Sequence, residues 1–174
     1  MKKLFAVLLG ATLLWSCAKP KETEMAAPEP NAVEFADAKY MDMGRQMMKS
    51  LSEGKTDDFI NNYADNAVYL WNNGDSIAGK QAIDSYWKDR RANVIDTITY
   101  TNDAWLAIQA NDPPKHIAKG VWLFNWATFT ITYTTGKPVT LAIHTAFHFD
   151  GTDKIDRAIQ YLDRAAIAAA MAKK

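Results

Sequence analysis

The chain predicts an α+β fold, with N-terminal helices packed into a strongly curved antiparallel sheet. Three observations carry that prediction. Between residues 36 and 90, apolar side chains recur at three- and four-residue spacing, the period of a helix with one buried face. From residue 98 the chain changes to long runs of Thr, Ile, Val, Trp and Phe, which suit a pleated, half-buried surface. The gaps between those runs are short and rich in Gly, Pro, Asn and Asp, so successive strands pair antiparallel rather than through crossovers.

Tyr40, Met43, Met47, Met48 and Leu51 make an apolar stripe along a helix over 36–52, with Asp37 in its first turn and Gly54 stopping it after Glu53. A second, short helix opens at Thr56-Asp57-Asp58, ahead of Phe59, Ile60 and Tyr63. There the hydroxyl can cap free amides and the carboxylates favour the positive end of the helix dipole. Residues 67–71 read as a strand ended by Asn72-Asn73-Gly74-Asp75, and Gly79 precedes a third helix with Ile83, Tyr86 and Trp87 on its apolar side. Four strands follow at 98–108, 117–133, 140–149 and 154–161. The alanine-rich stretch from Arg164 to Met171 closes the chain as a helix, with Asp163 as its cap.

The first 35 residues are of a different kind. Met1-Lys2-Lys3 followed by an apolar run from Leu4 to Trp15 has the basic start and apolar centre of an export signal. That run is shorter than the roughly 20 residues a membrane-spanning helix needs. Leu14-Trp15-Ser16-Cys17 resembles a bacterial lipobox, with Leu three residues before the chain's one cysteine and a small residue directly before it. The resemblance implies cleavage after residue 16, a diacylglyceryl thioether on Cys17 and usually an added N-acyl chain. Two or three acyl chains hold a protein stably at a membrane where one does not. The expectation is therefore a bacterial cell-envelope protein, lipid-anchored on the extracytoplasmic side. Ala18 follows the cysteine, so the familiar enterobacterial inner-membrane retention signal, an Asp there, is absent.

Residues 17–35 begin with a stretch rich in Pro, Lys, Glu and Ala that lacks the apolar mass to pack, and read as a flexible tether. That leaves 36–174 as one domain. Without a second cysteine the fold cannot rely on a disulfide. The chain carries 20 basic and 20 acidic residues, and removing 1–16 takes away two lysines and no acid. A chain so near neutrality lacks the basic patch a phosphate backbone needs, which argues against nucleic acid as a partner.

Three stretches carry a family resemblance: NNYADNAVYLWNNGDSIAGKQAIDSYW (61–87), GVWLFNWATFTITYTTGKP (120–138) and FHFDGTDKIDRAIQYLDRAAI (147–167). In their order and spacing they resemble the nuclear-transport-factor-2-like superfamily, most closely its SnoaL-like polyketide cyclases and limonene epoxide hydrolases. The resemblance implies a conical α+β barrel around a mostly apolar cavity, and it favours homodimers. In the epoxide hydrolases a Tyr and an Asn position water beside a carboxylate base, with an Arg between that acid and a second, proton-donating one. Of these the Tyr corresponds to Tyr69, while the Asn falls at Trp71, the Arg and donor acid at Trp126 and Thr128, and the closing-strand acid at Gln160. Trp, Thr and Gln have no proton to exchange near neutral pH, so the resemblance implies that the epoxide hydrolase chemistry is lost.

Residues two apart on a strand share a face, and the resemblance turns Trp122, Phe124, Trp126 and Thr128 inward. With Trp71 and Trp87 these indoles would either fill the core or line a small aromatic cavity. The candidate ligand contacts are Tyr69, Trp71, Trp87, Trp122, Trp126, Thr128 and Gln160. His144 and His148 lie on a strand, where four residues span about 13 Å, too far to share one ion. Their parity differs from the inward Ile143, Thr145 and Phe147, which puts them at the surface or a dimer interface. No metal or other cofactor is expected. The leading reading is a lipid-anchored binder of a small hydrophobic or aromatic molecule. Its alternatives are a cyclase, isomerase or dehydratase using Tyr69 with an unrecognised acid, and a dimerising assembly module with a filled core.

Overall fold

In a computed structural model the described residues are 31–172, and the signal segment, Cys17 and the tether up to residue 30 lie outside them. The elements run β1 (Val33–Phe35), α1 (Lys39–Ser52), α2 (Thr56–Ile60), β2 (Tyr63–Trp71), β3 (Ser76–Ala78) and α3 (Lys80–Asp89). One π-helical turn, Arg90–Val94, leads into β4 (Ile95–Ala110), β5 (Gly120–Tyr133), β6 (Pro138–Phe149), β7 (Ile155–Tyr161) and α4 (Arg164–Met171). The α+β cone expected from the sequence is the one observed.

All seven strands belong to one sheet in the order β1-β4-β5-β6-β7-β2-β3. The meander β4 to β7 is antiparallel throughout, as its short turns require. β2 then adds to β7 in parallel, with Trp71 opposite Gln160 and Tyr69 opposite Ala158. That pairing brings the first strand of the helical half against the last strand of the β half. Helices α1 to α3 cover the inner face, where Met47, Phe59, Tyr63, Ile83, Leu123, Phe147 and Ile155 are sealed from solvent. α1 packs close to the sheet at Gly44, where a Cβ would lie 2.4 Å from the Trp105 ring and 2.7 Å from Leu123. Gly54, at φ +76°, ends α1 in the left-handed region as its position predicts.

Several expectations need correction. Val33–Phe35, placed in the tether, pair antiparallel with β4, Phe35 facing Ile108. All three residues of that edge strand are exposed, so no buried pattern marks it. The short β3 follows a tight turn and pairs with β2. Lys55, not Thr56, is the N-terminal boundary of α2, and no side chain caps it. Asp37 sits just ahead of α1, its Oδ1 accepting from the Lys39 amide at 2.8 Å. Asp163 does cap α4, accepting from the Ala165 amide at 2.9 Å.

The largest correction concerns β5. Ile143, Thr145 and Phe147 point inward as expected, and their direct partners on β5 are Ala127, Asn125 and Leu123. Directly paired residues share a face, so the inward set on β5 is odd-numbered. Trp122, Phe124, Trp126 and Thr128 therefore face outward, and Trp126 is 44% exposed. A one-residue change of parity moves every side chain of a strand to the other face.

Candidate functional site

The inner cavity lies between the open end of the sheet and helices α3 and α4. Four rings form a closed circuit around part of it. Tyr69 and Trp71, two apart on β2, have centroids 4.9 Å apart. Tyr86 from α3 lies 5.3 Å from Trp71, Trp87 lies 5.4 Å from Tyr86, and Trp87 returns to Tyr69 at 6.2 Å. Strand parity and consecutive positions on a helix supply the pairs, and the parallel β2–β7 pairing brings Gln160 alongside. The Trp71 indole Nε1 donates to Gln160 Oε1 at 3.2 Å. Met48, Leu51, Ile95, Ile98, Phe129, Ile131, Ile143 and Phe147 supply much of the apolar wall.

The cavity, partly open to solvent, holds about 90 Å³. Sites for drug-sized ligands run to roughly 300–1,000 Å³, and an apolar cavity of about 150 Å³ admits benzene. This cavity suits a small molecule, and two indoles, Trp71 and Trp87, line it.

Two guanidinium groups border the aromatic circuit. Arg90 stands over the Tyr86 ring at 5.5 Å, and Arg164 over the Trp71 ring at 5.6 Å. Arg164 is committed elsewhere, donating to Asp75 Oδ2 at 2.8 Å and Asn73 Oδ1 at 2.9 Å. Arg90 makes no ion pair among the described residues. Burial pushes the Tyr69 hydroxyl far above the ordinary phenol range, aided by Tyr86 and opposed by Arg90. Burial likewise raises Tyr86 and Tyr133, against the pull of Arg90. All three phenols are therefore neutral hydroxyls at physiological pH. Two fully buried polar atoms in the lining have no hydrogen-bond partner among the described residues: the Tyr133 hydroxyl and the Trp87 Nε1. No Asp or Glu lines the cavity among the described residues.

Of the candidate contacts, Tyr69, Trp71, Trp87 and Gln160 come together here. Trp122, Trp126 and Thr128 do not, because they sit on the outer face. The positions that the corrected parity turns inward are Asn125, Ala127 and Phe129. None of these three exchanges a proton near neutral pH. Sequence reasoning missed Arg90, Tyr86 and Tyr133 as site residues. Arg90 follows Trp87 by three positions and Tyr86 by four, which is the spacing of one helix face, so its direction was readable.

The outer face carries its own aromatic row. Phe124 stacks on Trp126 at 6.0 Å, Trp126 on His144 at 4.7 Å and His144 on Tyr161 at 5.6 Å. Beside it an apolar groove of about 550 Å³ runs past Ile108, Trp122, Phe124 and Tyr161. His148 is buried rather than at the surface, with Nδ1 2.6 Å from Asp156 Oδ1 and Nε2 3.1 Å from the Lys119 carbonyl. Among the described residues no three His, Cys, Asp or Glu side chains cluster as a metal site would require.

Curved sheet, inserted helices and a blind inner cavity define the nuclear-transport-factor-2-like class. A profile of the SnoaL-like domain matches residues 45–158, and the chain belongs to that family. Solved structures agree on the fold. A nuclear-transport-factor-2-like protein of unknown function from Burkholderia pseudomallei superposes with a TM-score of 0.62 at 12% identity, covering 77% of this chain and 98% of that one. An LEH-like epoxide hydrolase of M. tuberculosis gives 0.59 at 13% identity, over 77% and 90%. A Catenulispora acidiphila protein with a ketosteroid-isomerase-like fold, solved with trimethylamine, gives 0.54 at 11% identity, over 74% and 90%. Comparison with the curated proteins gives no match.

Proposed function

We propose that this is a lipid-anchored, extracytoplasmic SnoaL-like protein that holds a small hydrophobic or aromatic molecule in its inner cavity and leaves it chemically unchanged. One observation carries the reading: an apolar, aromatic cavity whose described lining contains no carboxylate. General acid–base turnover needs a group that gains and loses a proton near the operating pH. Neutral high-pKa phenols and arginine do not provide one. What the cavity offers is ring faces and hydrogen bonds, the equipment of a receptacle. The trimethylamine held by the Catenulispora relative supports a small occupant for a fold of this kind.

Tryptophan fluorescence titrated with compounds from furan to toluene tests the binding. A saturable change with the smaller members is expected, and a flat response to all of them contradicts it. The anchor rests on Leu14–Cys17. Labelled palmitate should enter the wild type and not Cys17→Ala, and labelling that persists in the variant refutes lipidation at that thiol.

A second reading concerns assembly. Trp126 and Tyr161, 44% and 47% exposed, extend a stacked row along the outer sheet face. A second copy of the chain covering that face about a two-fold axis makes a homodimer, in which one aromatic row meets its equivalent.

A further inference from the structure

The inner cavity has polarity as well as shape, and its nitrogen-borne groups all donate. The Tyr133 side chain is 1% exposed and its hydroxyl is unpartnered, and Trp87 is 7% exposed with an unpartnered Nε1. The indole nitrogen can only donate. The Gln160 carbonyl, the one side-chain amide acceptor in the lining, is already taken by Trp71, which leaves its amide nitrogen as a donor. Arg90 stands among these groups, close enough to act on Tyr69, Tyr86 and Tyr133 together. Its charge has no carboxylate partner among the described residues. A buried donor left without an acceptor is rare in folded proteins, and here two of them share a cavity with an unpaired cation.

We infer that the cavity takes a short monocarboxylate, its carboxylate held by Arg90 with the Tyr133 hydroxyl and the Trp87 indole, and its apolar tail lying among the aromatic rings. The inference rests on the proposed binding function and names the class of its ligand. An ionised carboxylate only accepts hydrogen bonds, at about four lone-pair sites, which complements the guanidinium and indole, which only donate, and the Tyr133 hydroxyl, which can. The planar guanidinium fork matches it in two-pronged fashion, and charge-assisted hydrogen bonds are roughly twice as strong as neutral ones. By proportion to the roughly 150 Å³ that admits the six heavy atoms of benzene, the 90 Å³ here accommodates about four. Acetate matches that size, and propionate, one heavy atom larger, is its upper end. A neutral molecule of equal size leaves the Arg90 charge uncompensated, so the selectivity is electrostatic.

The test compares propionate with propionamide, its neutral isostere, by calorimetric titration of the full chain at pH 7. Propionate should bind at least tenfold more tightly. Arg90→Gln should erase that preference by weakening propionate far more than propionamide, and Arg90→Lys should restore part of it. Tyr133→Phe, which keeps the ring, should weaken propionate severalfold and serves as the deciding variant if Arg90→Gln fails to fold. Equal binding of the two compounds in the wild type overturns the carboxylate assignment yet leaves a working cavity. A preference that survives in both Arg90→Gln and Tyr133→Phe also overturns it, because the anion then binds elsewhere. If neither compound binds and furan is also silent, the proposed binding function itself fails and takes this inference with it.

Discussion

At the scale of single residues, the molecule is shaped by what fits against what. Gly44 shows this most sharply. The Trp105 ring and Leu123 lie where its Cβ would be, and neither is the loose end of a flexible chain. Gly44→Ala should therefore cost about 1–3 kcal/mol, the usual range for overpacking a filled interior. Chemical denaturation measures this, and an unchanged midpoint refutes the close approach of α1 to the sheet. The same scale explains why some of the site was legible and some was not. Tyr69 and Trp71 are an alternating pair on an apolar strand, and Trp87 lies on the apolar stripe of α3, so all three could be placed from local period alone. Trp122, Trp126 and Thr128 could not, because β5 is rich in large side chains on both faces. Its parity follows only from its partner β6, where Ile143, Thr145 and Phe147 fix the inner face.

Elements add what local pattern leaves out. The meander was legible because its turns announce themselves: Thr135-Gly136-Lys137-Pro138 and Asp150-Gly151-Thr152-Asp153 each join strands directly. The parallel union of β2 with β7 has no local signature, since its partners lie far apart in sequence, yet it is what brings Gln160 to Trp71. A latch joins α1 to the turn between β6 and β7: Lys39 Nζ lies 2.7 Å from Asp153 Oδ2, and the Tyr40 hydroxyl donates to Asp153 Oδ1 at 2.5 Å. Hydrogen bonds from Lys39, then Tyr40, hold the Asp153 carboxyl below the usual carboxylate range. A carboxyl lowered in the folded state stabilises the fold above its unfolded value of about 3.9, and that contribution is lost as pH falls through the lower folded value. Asp153→Asn should therefore lower the melting temperature at neutral pH, and the gap from wild type should narrow progressively as pH falls below the unfolded value and the carboxyl protonates. A gap that does not change with pH contradicts the latch.

Among the described residues two concave surfaces differ in geometry: a partly open, aromatic cavity of about 90 Å³ inside and a wider apolar groove of about 550 Å³ outside. Exposed indole and phenol beside a groove are what an interface core needs, and a cavity without carboxylates is what a receptacle needs. If the outer face joins two copies, sedimentation should show a dimer that Trp126→Glu converts to monomer with the fold intact. A monomer at every concentration of wild type rejects that interface. The inner cavity is the claim on which the functional account turns, and fluorescence locates it directly. Furan should give a saturable change in the protein lacking the outer indoles (Trp122→Phe, Trp126→Phe) and none in the protein lacking the cavity indoles (Trp71→Phe, Trp87→Phe). A response that instead follows Trp122 and Trp126 would place the ligand on the outer face and contradict the account.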